Sequence, residues 1–158
     1  KKISGDTTPM KFVVTHVLNY LKKNEKYNPD AVAILQPTSP MRTVKTINNA
    51  CKIFVRKKPD CLTSIEKIKH THHPQKIVEN KSNKDFLFIR DFNYKSKTIR
   101  QAEKNYYGLD GGVIFITKTK LIKKNIIGGN TILLTVGKKE SFDIDNFEDL
   151  EICRKLSK

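Results

Sequence analysis

What most constrains this chain is an alternation of short, unbroken apolar runs with segments whose apolar residues recur at helical spacing. Ala31–Leu35 and Gly112–Ile116 are continuous runs, as expected of strands covered on both faces. Met10, Val13, Val14, Val17, Leu18 and Leu21 fall instead on one stripe, which predicts a helix reaching about Lys23. Strand and helix patterns in alternation predict an α/β layer fold. Runs this short cannot cross a bilayer, which takes about 20 apolar residues.

Punctuation residues divide the chain further. Thr8-Pro9 reads as an N-cap followed by proline at the first helical position. Asn28-Pro29-Asp30 breaks that helix, and Gln36-Pro37-Thr38-Ser39-Pro40 ends the strand after it. Thr43 caps a second expected helix, with Val44, Ile47, Cys51, Phe54 and Val55 on its apolar face. Cys61–Ile68 alternates like a strand. From 66 to 107 the pattern loosens, with three histidines, Pro74, many lysines and a short apolar run Phe86–Ile89. This stretch reads as an arm or insertion within one domain spanning 1–158. Strand-like Gly111–Ile116, a helix near Thr119–Lys124, a strand at Thr131–Val136 and a helix Phe147–Leu156 complete the order.

Composition narrows the function classes. With 158 residues, 37% apolar and 30% charged, the chain has the balance of a folded domain rather than a disordered one. Its net charge of +15 favours polyanionic partners. The excess is nearly all lysine, however, and is scattered from end to end, with arginine only at Arg42, Arg56, Arg90, Arg100 and Arg154. Arginine is the preferred residue for bidentate phosphate and base contacts, and no nucleic-acid-binding motif accompanies the charge. A noncatalytic basic nucleic-acid-binding module stays an alternative reading, and a positive surface would also attract a polyanionic substrate such as a nucleoside triphosphate. Cys51, Cys61 and Cys153 fit neither a disulfide framework nor a zinc ribbon, which points to a reducing, cytoplasmic setting. The chain opens Lys1-Lys2-Ile3 without methionine and is expected to be a piece of a longer one.

Three motifs could carry chemistry. In Ser141-Phe142-Asp143-Ile144-Asp145, an extended backbone would point both carboxylates to one side. Paired there, Asp143 and Asp145 could hold Mg²⁺, with water and phosphate oxygens completing its shell. Alternatively, Asp145 or Asn146 simply caps the following helix, with Asp149 in its first turn. Gln36–Arg42 lies at the carboxyl end of a strand, where α/β sheets bind ligands. Gln36 offers a donor and an acceptor and Arg42 could meet an anion, unless Thr38 and Ser39 only cap a helix. Tyr106–Gly112 combines aromatic residues, turn glycines and Asp110 before a strand, suiting either a sugar-contacting loop or a turn needing positive φ. His70, His72 and His73 lack partners at zinc-ligand spacing and read as a polar loop.

Taken in order, Asp-Thr-Thr, Leu-Gln-Pro-Thr-Ser-Pro-x-Arg-Thr, His-His-Pro-x-Lys, Arg-Gln, a Gly-rich turn and Asp-Ile-Asp-x-x-x-Asp-Leu resemble the N-acylneuraminate cytidylyltransferases, the CMP-sialic acid synthetases. The resemblance runs from Asp6 to Leu156 and is most specific at Leu35–Thr43 and Ser141–Leu150. It implies a Rossmann-like nucleotidyltransferase fold, a three-layer sandwich of the nucleotide-diphospho-sugar transferase type with a dimerisation arm. It also implies transfer of CMP from CTP to a nonulosonic, sialic-acid-like sugar acid, with release of pyrophosphate. Asp143 and Asp145 would hold Mg²⁺, and Gln36 would contact the sugar acid. Lys76 and Arg100 would sit on the arm of a homodimer, reaching toward the partner's site. Asp110-Gly111 stands where the family commonly has Asn-Gly, and Ile114 where some members place Tyr. These departures leave legionaminate or pseudaminate open as substrate, with the eight-carbon Kdo a more distant alternative. The family also opens with a strand and a basic, Gly-containing loop that grips the triphosphate. Its absence here predicts that the 158-residue piece is inactive alone.

Overall fold

A computed structural model describes residues 5, 7–74, 77–82, 85–88, 105–110 and 112–157, with 70, 78, 80–82 and 85–88 described by backbone alone. The chain divides into two units, Lys1–Ile65 with Leu109–Lys158, and Glu66–Gly108.

In the first unit, α1 (Met10–Asn24) precedes strand β1 (Ala31–Ile34), and α2 (Val44–Lys57) leads into β2 (Cys61–Lys67). The second unit carries a 3-10 turn at His70–His72 and the antiparallel pair β3 (Val78–Ser82) and β4 (Asp85–Phe88). Strand β5 (Tyr107–Leu109) returns the chain to the first unit, which ends with β6 (Phe115–Lys118), α3 (Thr119–Ile122), β7 (Thr131–Thr135) and α4 (Phe147–Leu156).

The fold is α/β with a mixed sheet. β6 lies between β1 and β2 and is antiparallel to both, with Ile34 opposite Phe115 and Leu62 opposite Ile116. On its other side β2 runs parallel to β7, Leu62 opposite Ile132. Because β2 is flanked on both sides, Cys61, Leu62, Thr63 and Ser64 are all fully buried. β1 departs from its expected cover on both faces. Among the described residues it pairs only with β6, so Ala33 is exposed and Leu35 just beyond it is 41% exposed.

The core forms where α2 lies on this sheet. Ala50, Leu62, Ile114 and Ile116 are buried together, with Ala31, Ile47, Ile53, Phe54, Ile132 and Leu134 packed around them. The buried face of α2 is thus Ile47, Ala50, Ile53 and Phe54, turned away from the face expected from larger side chains. Val44 and Val55 are 74% and 73% exposed, and Cys51 is exposed while Cys61 and Cys153 are buried. Alanine won the central position because a close helix–sheet approach leaves no room for a longer side chain.

The helix ends are satisfied locally. Thr43 Oγ1 accepts from Thr46 N at 3.1 Å, the expected cap of α2. Glu140 adds a second acceptor there, its Oε1 taking Thr43 N at 3.0 Å and Thr46 Oγ1 at 2.7 Å. α4 starts with a capping box in which Asn146 Oδ1 accepts from Asp149 N and Asp149 Oδ2 accepts from Asn146 N. At α1 the cap position is Pro9 rather than Thr8, and no side chain among the described residues bonds there. In the second unit, His73 is buried with its ring edge-on to Tyr106, centroids 4.8 Å apart. No helix among the described residues is long and apolar enough to cross a membrane.

Candidate active site

The turn at 36–42 leaves the end of β1 and is stapled from within. Ser39 N donates to Gln36 O at 3.2 Å. Arg42 then reaches back, Nε donating to Ser39 O at 2.8 Å and Nη2 to Gln36 O. Burial pulls the Arg42 guanidinium below its usual value, while the nearby Asp143 charge works against that shift. Arg42 therefore spends donors on the turn that presents Gln36, beside the anion-binding role expected of it.

The acidic segment closes onto this turn. Ile144 N donates to Thr38 O at 2.8 Å, and Ser39 Oγ donates to Asp143 Oδ1 at 3.2 Å. Residues 142–145 pair with no described strand, so the segment is positioned by the turn rather than by a sheet ladder. Ser39 does not cap a helix. Its side chain is fully buried and engaged by the acid. Asp143 is half-buried, whereas Asp145 is exposed, with its backbone N–H donating to Asp149 Oδ2 at 3.1 Å. The helix cap is Asn146.

A third strand of the site comes from the glycine turn before β6. Asp110 is buried, and its Oδ1 accepts from Ser64 Oγ at 2.8 Å, Gly112 N at 3.0 Å and Val113 N at 3.2 Å. Asp110 Oδ2 is buried with no hydrogen-bond partner among the described residues. Gly112 takes a φ of 106°, and a side chain there would begin 2.6 Å from Cδ of Gln36. A side chain at this position would be strained and would push the glutamine aside.

Gln36, Arg42, Asp143 and the turn made by Asp110 accordingly meet in one region. Lys76 and Arg100 lie outside the described residues. The donors at 143 and 145 are carboxylate oxygens, the chemistry Mg²⁺ prefers. Among the described residues no group of three or more His, Cys, Asp or Glu converges as a closed metal site, so any cation here would need oxygens from water or substrate. Sequence reasoning missed Glu140 and gave Ser39 only a helix-capping role. Both act through contacts made across roughly a hundred residues of chain, which no local pattern encodes.

Comparison with known proteins finds no matching family model. The chain is similar to an N-acylneuraminate cytidylyltransferase of Escherichia coli O18:K1:H7, with 29% identity over 127 residues. That match covers 78% of this chain but only 29% of the relative's length.

Proposed function

We propose that this chain is part of a cytidylyltransferase that transfers CMP from CTP to a nonulosonic sugar acid and releases pyrophosphate. The observation that supports it best is the clamp between the Gln36 turn and the Asp143 segment. It holds the turn that carries Gln36 and Arg42 against the segment that carries Asp143. The similarity to the Escherichia coli enzyme points the same way.

In this reading Gln36 orients the sugar acid through its paired donor and acceptor. Arg42 holds the turn carbonyls and contributes positive charge beside the acids. Asp143 and Asp145 would hold Mg²⁺, which when bound neutralises triphosphate charge. Asp110 serves the substrate through the turn it organises, against which Gln36 packs. Lys76 and Arg100, carried on 66–107, would meet acidic groups of substrate across a homodimer. Legionaminate, pseudaminate and N-acetylneuraminate are all compatible with these residues.

The test has two arms. CTP should raise the melting temperature of the 158-residue chain only when Mg²⁺ is present, and Asp143→Ala should abolish the rise. The full-length protein should release pyrophosphate from CTP with one of a panel of nonulosonic acids, and its Asp143→Ala variant should not. Steeply salt-dependent DNA binding with no response to CTP would overturn the proposal in favour of a nucleic-acid module.

A further inference from the structure

The Ser39 side chain is fully buried, and a buried hydroxyl is costly unless something accepts its proton. The acceptor it has is Asp143 Oδ1, 3.2 Å away and 104 positions along the chain. The rest of the residue is fixed as well. Its N–H bonds to Gln36 O at 3.2 Å, and its carbonyl receives Arg42 Nε at 2.8 Å. Next to it, Thr38 O takes Ile144 N at 2.8 Å, so the two segments cannot slide past each other while these bonds hold. The hydroxyl is therefore an immobile donor aimed at one oxygen of a half-buried acid.

We infer that Ser39 is a positioning residue, locking the Asp143 carboxylate by one oxygen so that the other is left for a divalent cation. This rests on the cytidylyltransferase reading above, in which Asp143 is a cation ligand. Alanine would fill nearly the same space, so packing alone does not require a hydroxyl at this position. Groups that orient a metal's ligands typically matter about 10–100-fold in metal affinity. Ser39 touches no substrate in this reading and acts only through the acid.

The test is a Mn²⁺ titration of the 158-residue chain, read as paramagnetic broadening of backbone amide resonances at 36–42 and 143–146. Urea unfolding without cation runs in parallel. The native chain should show broadening confined to these segments. Ser39→Ala should bind Mn²⁺ about tenfold more weakly under conditions where it is fully folded, and Asp143→Ala should lose the local broadening. Unchanged affinity in folded Ser39→Ala overturns the positioning role and leaves Asp143 as a ligand. Absence of local broadening in the native chain overturns the metal reading, and this inference with it. Should Ser39→Ala fail to fold, a Mn²⁺-soaked crystal of the native chain decides. Asp143 must then bind Mn²⁺ through one oxygen with Ser39 Oγ still on the other, and a Ser39 hydroxyl turned away sinks the inference.

Discussion

Gly112 and Gln36 touch so closely that a methyl group on the first would stand 2.6 Å from Cδ and 2.9 Å from Oε1 of the second. Gly112 also holds a φ of 106°, which side-chain-bearing residues rarely adopt. Gly112→Ala should therefore cost about 1–3 kcal/mol of stability and displace the glutamine. Urea unfolding measures the first effect, and the Gln36 side-chain amide resonance measures the second. A variant with native stability and an unmoved resonance would reject the contact.

Asp110 separates a structural role from a charge. Its Oδ1 gathers three donors, from Ser64, Gly112 and Val113. Asp110→Ala strands all of them and should destabilise the protein by about 3 kcal/mol or more. Asp110→Asn keeps an acceptor oxygen and removes a buried charge whose other oxygen has no partner among the described residues, so its cost should stay within about 1 kcal/mol. Chemical denaturation of both variants checks the ordering. Equal losses would show that charge, not acceptor geometry, holds the turn.

Glu140 gives a pH dependence with a definite sign. Burial alone would raise its carboxyl, but bonds from Thr43, Thr46 and Gly137 outweigh it and hold the group below its ordinary value of 4.5. A carboxyl depressed by folding adds stability above its unfolded value, and that contribution disappears as pH falls through the lower folded value. Glu140→Gln resembles the protonated form. It should be about 0.5–1 kcal/mol less stable than the native chain at pH 7, with the gap closing below about pH 4. A gap that is constant with pH would contradict the cap.

The face of α2 can be checked chemically. Cys51 is exposed while Cys61 and Cys153 are buried, so one thiol should react quickly in the native protein and the others only on unfolding. Val55→Lys should change stability by no more than about 0.5 kcal/mol. Ala50→Leu should cost about 1–3 kcal/mol by overpacking the sheet contact. Slow reaction of Cys51 in the native protein would place the helix in another rotation.

Much of this fold could be read in advance, because local signals decided it. The Thr43 cap marked the start of α2, the stripe from Met10 to Leu21 marked α1, and Phe147–Leu156 is the span of α4 as expected. The face of α2 could not be read the same way. Its large residues Val44 and Val55 suggested one stripe, and the close approach at Ala50 selected another. The Gln36 turn and Asp143 both stood out as motifs. Nothing local said that Ser39 would bond the acid, or that Glu140 would cap a helix begun 97 positions earlier. Chain-distant bonds depend on how the sheet brings its ends together, and sequence spacing carries no record of that.

The segment carrying Asp143 and Asp145 is gripped between the two acids, where Ile144 N donates to Thr38 O, and after them by the Asn146–Asp149 box at α4. Whatever docks against those acids therefore meets a loop whose ordering was completed when the domain folded. Its association should be governed by charge and shape, with little induced rearrangement of the backbone and correspondingly little entropic loss.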